Sequence, residues 1–437
     1  MKRNKVIRAI ALLLFAAILT AGLPAGARAE IETVAPVKID KMRTLNVLFI
    51  GNSYSEDTSR YLYDIADQTG YRICVGDAWL GGLRLSDHVE NALADNPAYT
   101  YFENTEGEWN QIYDGDSETW SLSRVLISRK WDVILLQSKS VDVGLLSSFY
   151  PDGDESKPCL LEELAQYCKV YCPWAHVAYN MTWADREGSE SEGFEEYGTQ
   201  MRMCEAAWSV TQSILDTRRE MNELTSDDPV TDTKEAAHGL SEGISRLAGT
   251  IPSRAPTVEF VVPVGTAIQN ARSSYMGDTL TRDYKHLNYG IGRYIASMTV
   301  AASLGYPVES ITSMDLYDTA SSLHLPVIKA SVRAAVENPF ALSVQTQERP
   351  VLPCMNVTVK GEGNRVDLSW ESVAGATSYV VSYQDSGSEE SISVTLPYSD
   401  TSYDFQGEEG PVFISVCAMG DAYISKSAPY ETSMYLR

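Results

Sequence analysis

The sequence predicts an α/β domain, a three-layer sandwich around a mostly parallel five-stranded sheet, followed by a smaller all-β sandwich domain. Between Leu45 and Leu304, short apolar runs alternate with helix-periodic stretches, which is typical of parallel sheets crossed by helices. Most of these runs are apolar at consecutive positions, as in strands that are covered on both faces. After Pro353, apolar and polar residues alternate in short segments, which is typical of an antiparallel sandwich.

The first 29 residues predict an export signal that is removed from the mature chain. Its basic start contains Lys2, Arg3, Lys5 and Arg8. The apolar stretch Ala9–Leu23 follows, and Ala27-Arg-Ala29 supplies the small-x-small pattern that signal peptidase accepts. Because this stretch is shorter than the ~20 residues that span a bilayer, we expect cleavage before Glu30, with an uncleaved anchor as the alternative. The mature protein is therefore expected to be secreted or associated with the cell envelope.

Five apolar runs are the strand candidates of the first domain, which is assigned to residues 30–343. They are Asn46–Ile50, Tyr71–Val75, Asp132–Leu136, His176–Tyr179 and Val258–Val262. Helical periodicity follows most of them, over residues 60–68, 159–170 and 195–223. Aromatic and polar residues without a helical period predict a hairpin insertion at 99–120.

Changes of pattern mark the end of the first domain. A stretch rich in Ser, Thr, Asp and Gly predicts a polar insertion at 225–256, and helical periodicity returns at 311–338. Residues 344–353 are predicted to be a linker, and residues 354–437 the sandwich domain. Its strand candidates are 357–360, 366–370, 378–383, 391–395 and 412–416.

The charge balance excludes two classes of partner. With 59 acidic and 35 basic side chains the formal charge is −24, and removal of five basic residues with the signal leaves 30 against 59, or −29. Nucleic-acid binding needs clustered Lys and Arg for the phosphates, and an anionic lipid surface repels such an acidic chain. We therefore expect no nucleic-acid partner. Since no later segment is long and apolar enough to span a bilayer, we also expect no membrane insertion after signal cleavage.

The seven cysteines are an odd number without the regular spacing of a disulfide framework. Cys168 and Cys172 share a helix face at i, i+4, but no His or Cys pair stands nearby at zinc spacing. We expect buried free thiols, no metal and no organic cofactor.

One serine stands where α/β sheets place their binding sites. The block Gly51-Asn-Ser-Tyr-Ser55 directly follows the first predicted strand and opens a helix. At that place the Ser53 N–H and the helix N-terminus point at a developing oxyanion. The alternative interpretation is a plain helix cap, formed by Ser53, Ser55 or Asp57.

One of the five histidines, His286, stands three residues after Asp283. Residues at this spacing share one face of a helical turn, so Asp283 can accept from His286 Nδ1–H and leave Nε2 for Ser53. His88 is a candidate for lining a cleft. The remaining histidines are predicted to pack or to lie at the surface: His176, His238 and His324.

The chain also contains a literal G-x-S-x-G, Gly239-Leu-Ser-Glu-Gly243. That pattern marks a nucleophile elbow when a strand precedes it and a helix follows it. Residues 233–238 are instead polar and helical in character, so Ser241 is interpreted as a chance match.

Three blocks, in this order, resemble the SGNH, or GDSL-type, hydrolases. They are the Gly51–Ser55 block, the Gly81-Gly82 loop after the second strand, and Asp283-x-x-His286. The resemblance covers roughly residues 44–304 and is greatest to an uncharacterised branch whose first block reads G-N-S-x-S. Further similarities to that branch are Trp131–Gln137, Met181–Trp183, Gly265–Arg272 and His286–Gly290.

The resemblance implies a role for each residue that matches these blocks. It implies Ser53 as nucleophile, His286 as general base and acid, and Asp283 as the group that orients the histidine. The backbone N–H groups of Ser53 and Gly82 are implied as oxyanion donors, since glycine lets the backbone approach a substrate closely.

The third block departs from the family pattern. The family offers Gly-x-Asn after the third strand, and this chain has Gln137-Ser-Lys-Ser140. Gln137 can donate an N–H to the oxyanion in the same role, and Asn180 at the end of the next strand is the alternative donor. Loss of one donor costs roughly 3–4 kcal/mol of transition-state stabilisation, so the replacement bears on the rate.

The resemblance implies a secreted serine esterase with a Ser-His-Asp triad. The extracellular setting makes O-acyl groups on carbohydrate, such as acetyl groups, the first substrate expectation, beside small-molecule esters. The alternative is a catalytically weak or inactive secreted protein on the same fold that binds glycan or serves as a scaffold, which the altered third block favours. The oligomeric state stays open.

The second domain resembles a fibronectin type III module over about 85 residues, on the order of Trp370, the Gly375–Tyr379 turn and Tyr383. Whether it binds glycan or is a spacer stays open. The tryptophans near strand ends can stack on sugar rings or pack in the interior, and we adopt packing: Trp79, Trp174 and Trp183.

Overall fold

Seven strands form the central sheet of the first domain. The computed structural model describes residues 31–115, 117–226, 257–314, 322–388 and 390–437. The strands are β1 Leu45–Gly51, β2 Ile73–Trp79, β3 Thr100–Asn104, β4 Trp109–Ile112, β5 Val133–Leu136, β6 His176–Asn180 and β7 Val258–Val262. The predicted signal peptide, most of the predicted polar insertion, His238 and Ser241 lie outside the described residues.

The five predicted strands are present, and they are parallel. They lie in the order β2-β1-β5-β6-β7, with β3 and β4 beyond β2. All four residues of β5 and six of the seven residues of β2 are buried, so helices and loops cover both faces of the sheet. β2 starts at Ile73 rather than at Tyr71 and extends to Trp79.

The prediction of a five-stranded sheet was wrong, because the hairpin insertion joins the sheet. β3 pairs antiparallel with β4 and also with β2, where Tyr101 lies opposite Ala78. The local pattern of residues 99–120 predicts a hairpin, but its pairing with β2 depends on contacts that are distant in sequence.

Nine α-helices accompany the sheet within the described residues. They are α1 Ser53–Ser59, α2 Leu62–Gln68, α3 Leu85–Leu93, α4 Leu122–Ser128, α5 Leu160–Tyr171, α6 Gln200–Ser226, α7 Val264–Arg272, α8 Ile291–Ser303 and α9 Leu325–Glu337. Helices α1, α2, α7, α8 and α9 share one apolar core with the residues that β1 turns to that face, among them Val47 and Phe49. Helices α3, α4 and α5 pack together, and α5 contacts β5.

Two predicted helices differ in extent from those observed. The helical pattern at 60–68 corresponds to α2, which a break at Arg60-Tyr61 separates from α1. The helix predicted at 311–338 begins only at Leu325, where Pro326 fits the first turn because proline lacks the N–H that this turn leaves unused. Residues 315–321 lie outside the described part.

The carboxyl ends of β1 and β5 form the switch point of the sheet. The chain leaves β1 to form β2 on one side and later returns to form β5 on the other side. Ligand crevices of open α/β sheets lie at such a point. Ser53 follows β1 and Gln137 follows β5, so both residues stand at this edge.

The second domain is a sandwich of two antiparallel sheets. Its strands are β8 Val357–Glu362, β9 Arg365–Trp370, β10 Ser378–Asp385, β11 Ile392–Pro397, β12 Ser402–Gln406, β13 Gly410–Met419 and β14 Tyr430–Leu436, in the orders β11-β10-β13-β14 and β12-β9-β8. Both sheets contribute apolar residues to one core. The sequence analysis missed β12 and β14, which lie at sheet edges and bury one residue each, Phe405 and Leu436.

The predicted linker is bonded to both domains. The Gln345 N–H donates to Ser273 Oγ at the end of α7 over 2.9 Å, and the Leu352 N–H donates to the Ser425 carbonyl over 3.0 Å. Residues Thr33–Arg437 form one compact unit.

Candidate active site

Ser53 is the first residue of α1 and lies directly after β1. The cap of α1 is Asn52, rather than Ser53, Ser55 or Asp57: its extended backbone leads into the helix, and its Oδ1 accepts from the Tyr54 N–H over 3.0 Å. The Ser53 hydroxyl is therefore available to a side chain from another loop. Ser53 Oγ lies 2.8 Å from His286 Nε2.

Asp283 holds the other side of the His286 ring. His286 Nδ1 lies 2.8 Å from Asp283 Oδ2, while Asp283 Oδ1 accepts from the backbone N–H groups of His286 and Lys285 over 2.7 and 2.8 Å. The three predicted residues thus form one continuous chain of hydrogen bonds. A hydroxyl, an imidazole and a carboxylate in this arrangement can generate a serine nucleophile.

The surroundings of Asp283 keep it ionised. Partial burial raises the pKa of its carboxyl, but the hydrogen bonds from His286 and Lys285 outweigh burial and bring that pKa to about 2. The carboxylate is consequently charged at neutral pH and can stabilise an imidazolium.

A buried carboxylate ties α1 to the loop that carries His286. The side chain of Asp57 is fully buried and accepts from Arg282 Nη1 over 2.8 Å, from the Leu287 N–H over 2.8 Å and from Arg293 Nε over 2.7 Å. Arg282 and Leu287 stand on either side of the Asp283–His286 segment. The helix that carries Ser53 therefore also holds both ends of the His286 loop.

From the sequence, Asp57 is predicted only as a possible helix cap. Its three partners follow it by 225 residues or more, so no local spacing signals the contact. An acid in a helix is ordinarily expected at the surface, and only the fold shows that this one is buried.

Two aromatic rings support His286. The Tyr54 ring lies 5.6 Å from the His286 ring and 4.8 Å from the Trp183 ring, and both aromatic side chains are buried. Trp183 Nε1 donates to the Lys285 carbonyl over 2.6 Å, next to the histidine. Trp183 therefore packs beneath the loop that carries His286.

Asn52 connects the three loops that meet at the switch point. Its Nδ2 donates to the Leu83 carbonyl, in the loop after β2, over 2.9 Å. Its Oδ1 accepts from Gln137 Nε2, after β5, over 2.7 Å. These contacts of Asn52 were not predicted from the sequence, although asparagine is a preferred residue at helix N-caps.

Two of the predicted oxyanion donors are backbone N–H groups. Within the described part of the chain, the N–H groups of Ser53 and Gly82 contact no acceptor. Gly82 is exposed and has a φ of +76°, a conformation that favours glycine, and a side chain added there would meet nothing within 4 Å. Both groups are therefore free to donate to a ligand.

The two candidates for the third donor differ in position. Gln137 is buried, and one N–H of its amide is engaged with Asn52, which leaves the second hydrogen of that amide. Asn180 is buried, and neither polar atom of its side chain has a partner among the described residues. Because β5 separates β6 from β1, Asn180 starts about 10 Å from the Ser53 strand and Gln137 about 5 Å.

The structure brings none of the other described histidines to Ser53. His88 is buried in α3 and pairs with the Tyr99 hydroxyl at 2.9 Å, so it does not line a cleft. His176 Nδ1 pairs with Glu259 at 2.6 Å, and His324 is fully buried. Trp79 is half-buried, and Trp174 is half-exposed with its indole N–H on the Trp131 carbonyl.

The described residues contain no group of three or more His, Cys, Asp or Glu side chains placed to hold a metal ion. No helix among them has both the length and the apolar character needed to cross a bilayer. The seven cysteines form no disulfide, and burial raises the pKa of the Cys74 and Cys204 thiols to about 12.

Both the sequence and the structure of the chain are similar to those of known proteins. The sequence matches the family described as "Domain of unknown function (DUF4886)" over residues 46–236 and 252–315, which is more than half of the chain. No curated protein matches it. The crystal structure of a DUF4886 family protein from Bacteroides uniformis is 25% identical, with a TM-score of 0.52, over 69% of this chain and 98% of that chain.

Two further structures match about a fifth of the chain. An FN3 domain of human collagen XX is 11% identical over 22% of this chain and 100% of that chain, with a TM-score of 0.17. The fn3 domain of the human collagen alpha-1(XX) chain is 23% identical over 21% of this chain and 90% of that chain, with a TM-score of 0.18. From the extent of the match to its first domain, the chain belongs to the DUF4886 family.

Proposed function

We propose that the protein is a secreted serine esterase of the SGNH type. The observation that carries the proposal is the hydrogen-bonded chain from Ser53 Oγ through His286 to Asp283, at the switch point of the sheet. A serine with a purely structural role does not require an imidazole partner. The orientation of His286 by a charged carboxylate therefore supports a catalytic role for Ser53. Two unused N–H groups, of Ser53 and Gly82, supply the complementary donors.

In the proposed reaction, His286 Nε2 takes the Ser53 hydroxyl proton while Oγ attacks the ester carbonyl carbon. The carbonyl oxygen gains negative charge and accepts from the N–H groups of Ser53 and Gly82. The alcohol leaves with the proton from His286, and water then hydrolyses the acyl-enzyme with His286 as base. Asp283 stays ionised throughout and balances the charge of the imidazolium.

The proposed substrate is an ester whose acyl group is small, with O-acetyl groups on carbohydrate first. This choice rests on the expected export of the chain and on the resemblance to SGNH hydrolases. We also propose that the second domain is of the fibronectin type III kind, on its sheets of three and four strands.

Hydrolysis of short-chain acyl esters tests the proposed activity, followed by release of acetate from acetylated glycans. We expect Ser53→Ala to abolish turnover and Asp283→Asn to lower kcat by about a thousandfold or more, because the asparagine cannot balance an imidazolium. Ser55→Ala is the matched control, since Ser55 Oγ contacts Asn52 and Asp77 rather than His286. Turnover by Ser53→Ala at the wild-type rate would reject the proposal.

The second candidate is a glycan-binding or scaffold protein without turnover. The engagement of the Gln137 amide with Asn52 favours it, since that amide is the expected third oxyanion donor. Unchanged binding of a glycan by Ser53→Ala, together with no ester hydrolysis by the wild type, would support this function over the esterase.

A further inference from the structure

We propose that the second domain positions the His286 loop, through Tyr423 and Asp421 in the connection between β13 and β14. In this account the sandwich is part of the support of the site rather than a spacer. The inference concerns the placement of the loop in the structure, and only its kinetic consequence rests on the proposed esterase function.

Tyr423 makes the direct contact. Its hydroxyl donates to the Thr279 carbonyl over 3.1 Å, across the boundary between the domains. Its ring packs against the apolar core of the first domain and meets the His324 ring edge-on at 5.7 Å. One side chain of the second domain thus reaches the segment that enters the His286 loop.

The second contact is an electrostatic one. His324 is fully buried, its Nδ1 pairs with the Tyr275 hydroxyl at 3.0 Å, and its Nε2 lies 3.6 Å from Asp421 Oδ2. Partial burial raises the pKa of Asp421, and the neighbouring His324 and the Tyr423 N–H outweigh it, so the pKa lies below its ordinary value. Asp421 is therefore a charged group that lies next to a buried imidazole of the other domain.

The connection that presents these residues is held by bonds within the turn and to the linker. Asp421 Oδ1 accepts from the Tyr423 N–H over 2.7 Å, and the Ser425 N–H donates to the carbonyl of Pro350, in the linker, over 2.8 Å. A side chain at Gly420 would meet the Ile424 carbonyl oxygen at 2.2 Å, so the turn closes tightly on itself. Because this turn is tight, its residues keep a fixed position, and Tyr423 can therefore fix the position of the segment that it contacts.

The contact continues from Thr279 to His286 through the loop itself. The Thr279 carbonyl also accepts from Asn288 Nδ2 over 3.1 Å, and the Asn288 N–H donates to the Leu280 carbonyl over 2.8 Å. Nearer to the middle of the loop, the Arg282 N–H donates to the His286 carbonyl over 2.9 Å. Tyr423 and Asn288 therefore share one acceptor at the base of the two arms that hold His286.

Hydrogen exchange of the full chain tests the positioning without any reference to activity. In Tyr423→Phe we expect the Arg282 and Asn288 amides to exchange about two- to tenfold faster, the loss of one hydrogen bond, while the core of the sandwich stays protected. Asp421→Asn, which keeps the acceptor for the Tyr423 N–H, should act in the same direction. Tyr435→Phe, an exposed tyrosine of β14, is the control. Unchanged exchange of these amides in both variants would overturn the proposal.

The kinetic test separates positioning from folding. If the wild type hydrolyses esters, Tyr423→Phe should lower kcat by about two- to tenfold with KM nearly unchanged, because a displaced His286 affects the transition state and not substrate binding. A loosened loop with an unchanged kcat would contradict the positioning role. Absence of wild-type hydrolysis would count against the esterase alone, because the exchange result stands independently of it.

Discussion

At the scale of single residues, Asn52 links three parts of the site. It caps α1, receives the Gln137 amide and holds the loop of Gly82 through the Leu83 carbonyl. An amide side chain can make these contacts because its nitrogen donates while its oxygen accepts. Aspartate would retain the cap and lose the contact with Leu83.

We therefore expect Asn52→Ala to lower the free energy of unfolding by about 1–2 kcal/mol and kcat by about tenfold or more. The loss of the cap lowers the free energy of unfolding. The loosening of the Gly82 loop and of Gln137 lowers kcat. Urea denaturation and ester hydrolysis measure the two effects. Asn96→Ala removes an exposed contact with Asn91 and is the control, with a change within about 0.5 kcal/mol. Equal behaviour of the two variants would reject a special role for Asn52.

The residues that sequence reasoning identified are those whose relation is local or whose place follows from a strand end. Ser53 stands at the end of β1, and Asp283 and His286 are three residues apart. The contacts of Asn52 with Leu83 and of Asp57 with Arg282 were not predicted, because they join segments that are far apart in the sequence. Their chemistry also has an ordinary local explanation, a helix cap or an exposed acid.

At the scale of elements, the site depends on the attachment of the His286 loop to α1. Asp57 receives two guanidinium groups, of Arg282 and Arg293, and all three side chains are mostly or fully buried. Breaking a buried ion pair leaves uncompensated charge, which costs more than the pair itself contributes.

We expect Asp57→Asn to lower the free energy of unfolding by about 3 kcal/mol and to lower kcat, because both ends of the loop lose their charged anchor. Glu56→Gln is the matched control: Glu56 contacts the same Arg293 at 3.1 Å, but its side chain is 47% exposed, so we expect a loss of about 1 kcal/mol or less. Chemical denaturation of both variants makes the comparison. A Glu56→Gln loss as large as that of Asp57→Asn would contradict the account.

The apolar runs predicted the five parallel strands of the first domain, but two edge strands of the sandwich were missed. β1, β5, β6 and β7 were found within one residue at each end, whereas β12 and β14, with one buried residue each, were not predicted. β3 and β4 were recognised as a hairpin, but the pairing of β3 with β2 was not predicted. Pairing between distant segments is decided by the tertiary structure.

At the scale of the whole molecule, one buried acid links stability to pH. Asp77 in β2 is buried, and the Ser55 hydroxyl lies 2.9 Å from its Oδ1 and 2.7 Å from the Asn52 carbonyl. Burial raises the pKa of Asp77 to about 8, the nearby Glu56 adds to the rise, and Ser55 opposes it. A protonated Asp77 can donate to Ser55, whose single hydrogen then serves the Asn52 carbonyl.

The sign of the effect follows from proton binding. Between the unfolded pKa of about 3.9 and the folded pKa of about 8, the folded chain keeps a proton that the unfolded chain has lost. The free energy of unfolding therefore falls as the pH rises through this window. Asp77→Asn should remove that part of the slope, by at least about 1 kcal/mol between about pH 5 and about pH 8. Urea denaturation at both values tests it, and identical slopes for both proteins would contradict a protonated Asp77.

The proposed chemistry depends on a few polar side chains at one edge of the sheet, Ser53, His286 and Asp283. The central claim is that Ser53 is an activated nucleophile. Its most direct test is a fluorophosphonate probe with mass spectrometry of the labelled peptide. The account predicts an adduct on Ser53, full labelling of Ser241→Ala, and none of Ser53→Ala. An unlabelled wild type, or a Ser53→Ala variant that still reacts, would contradict it.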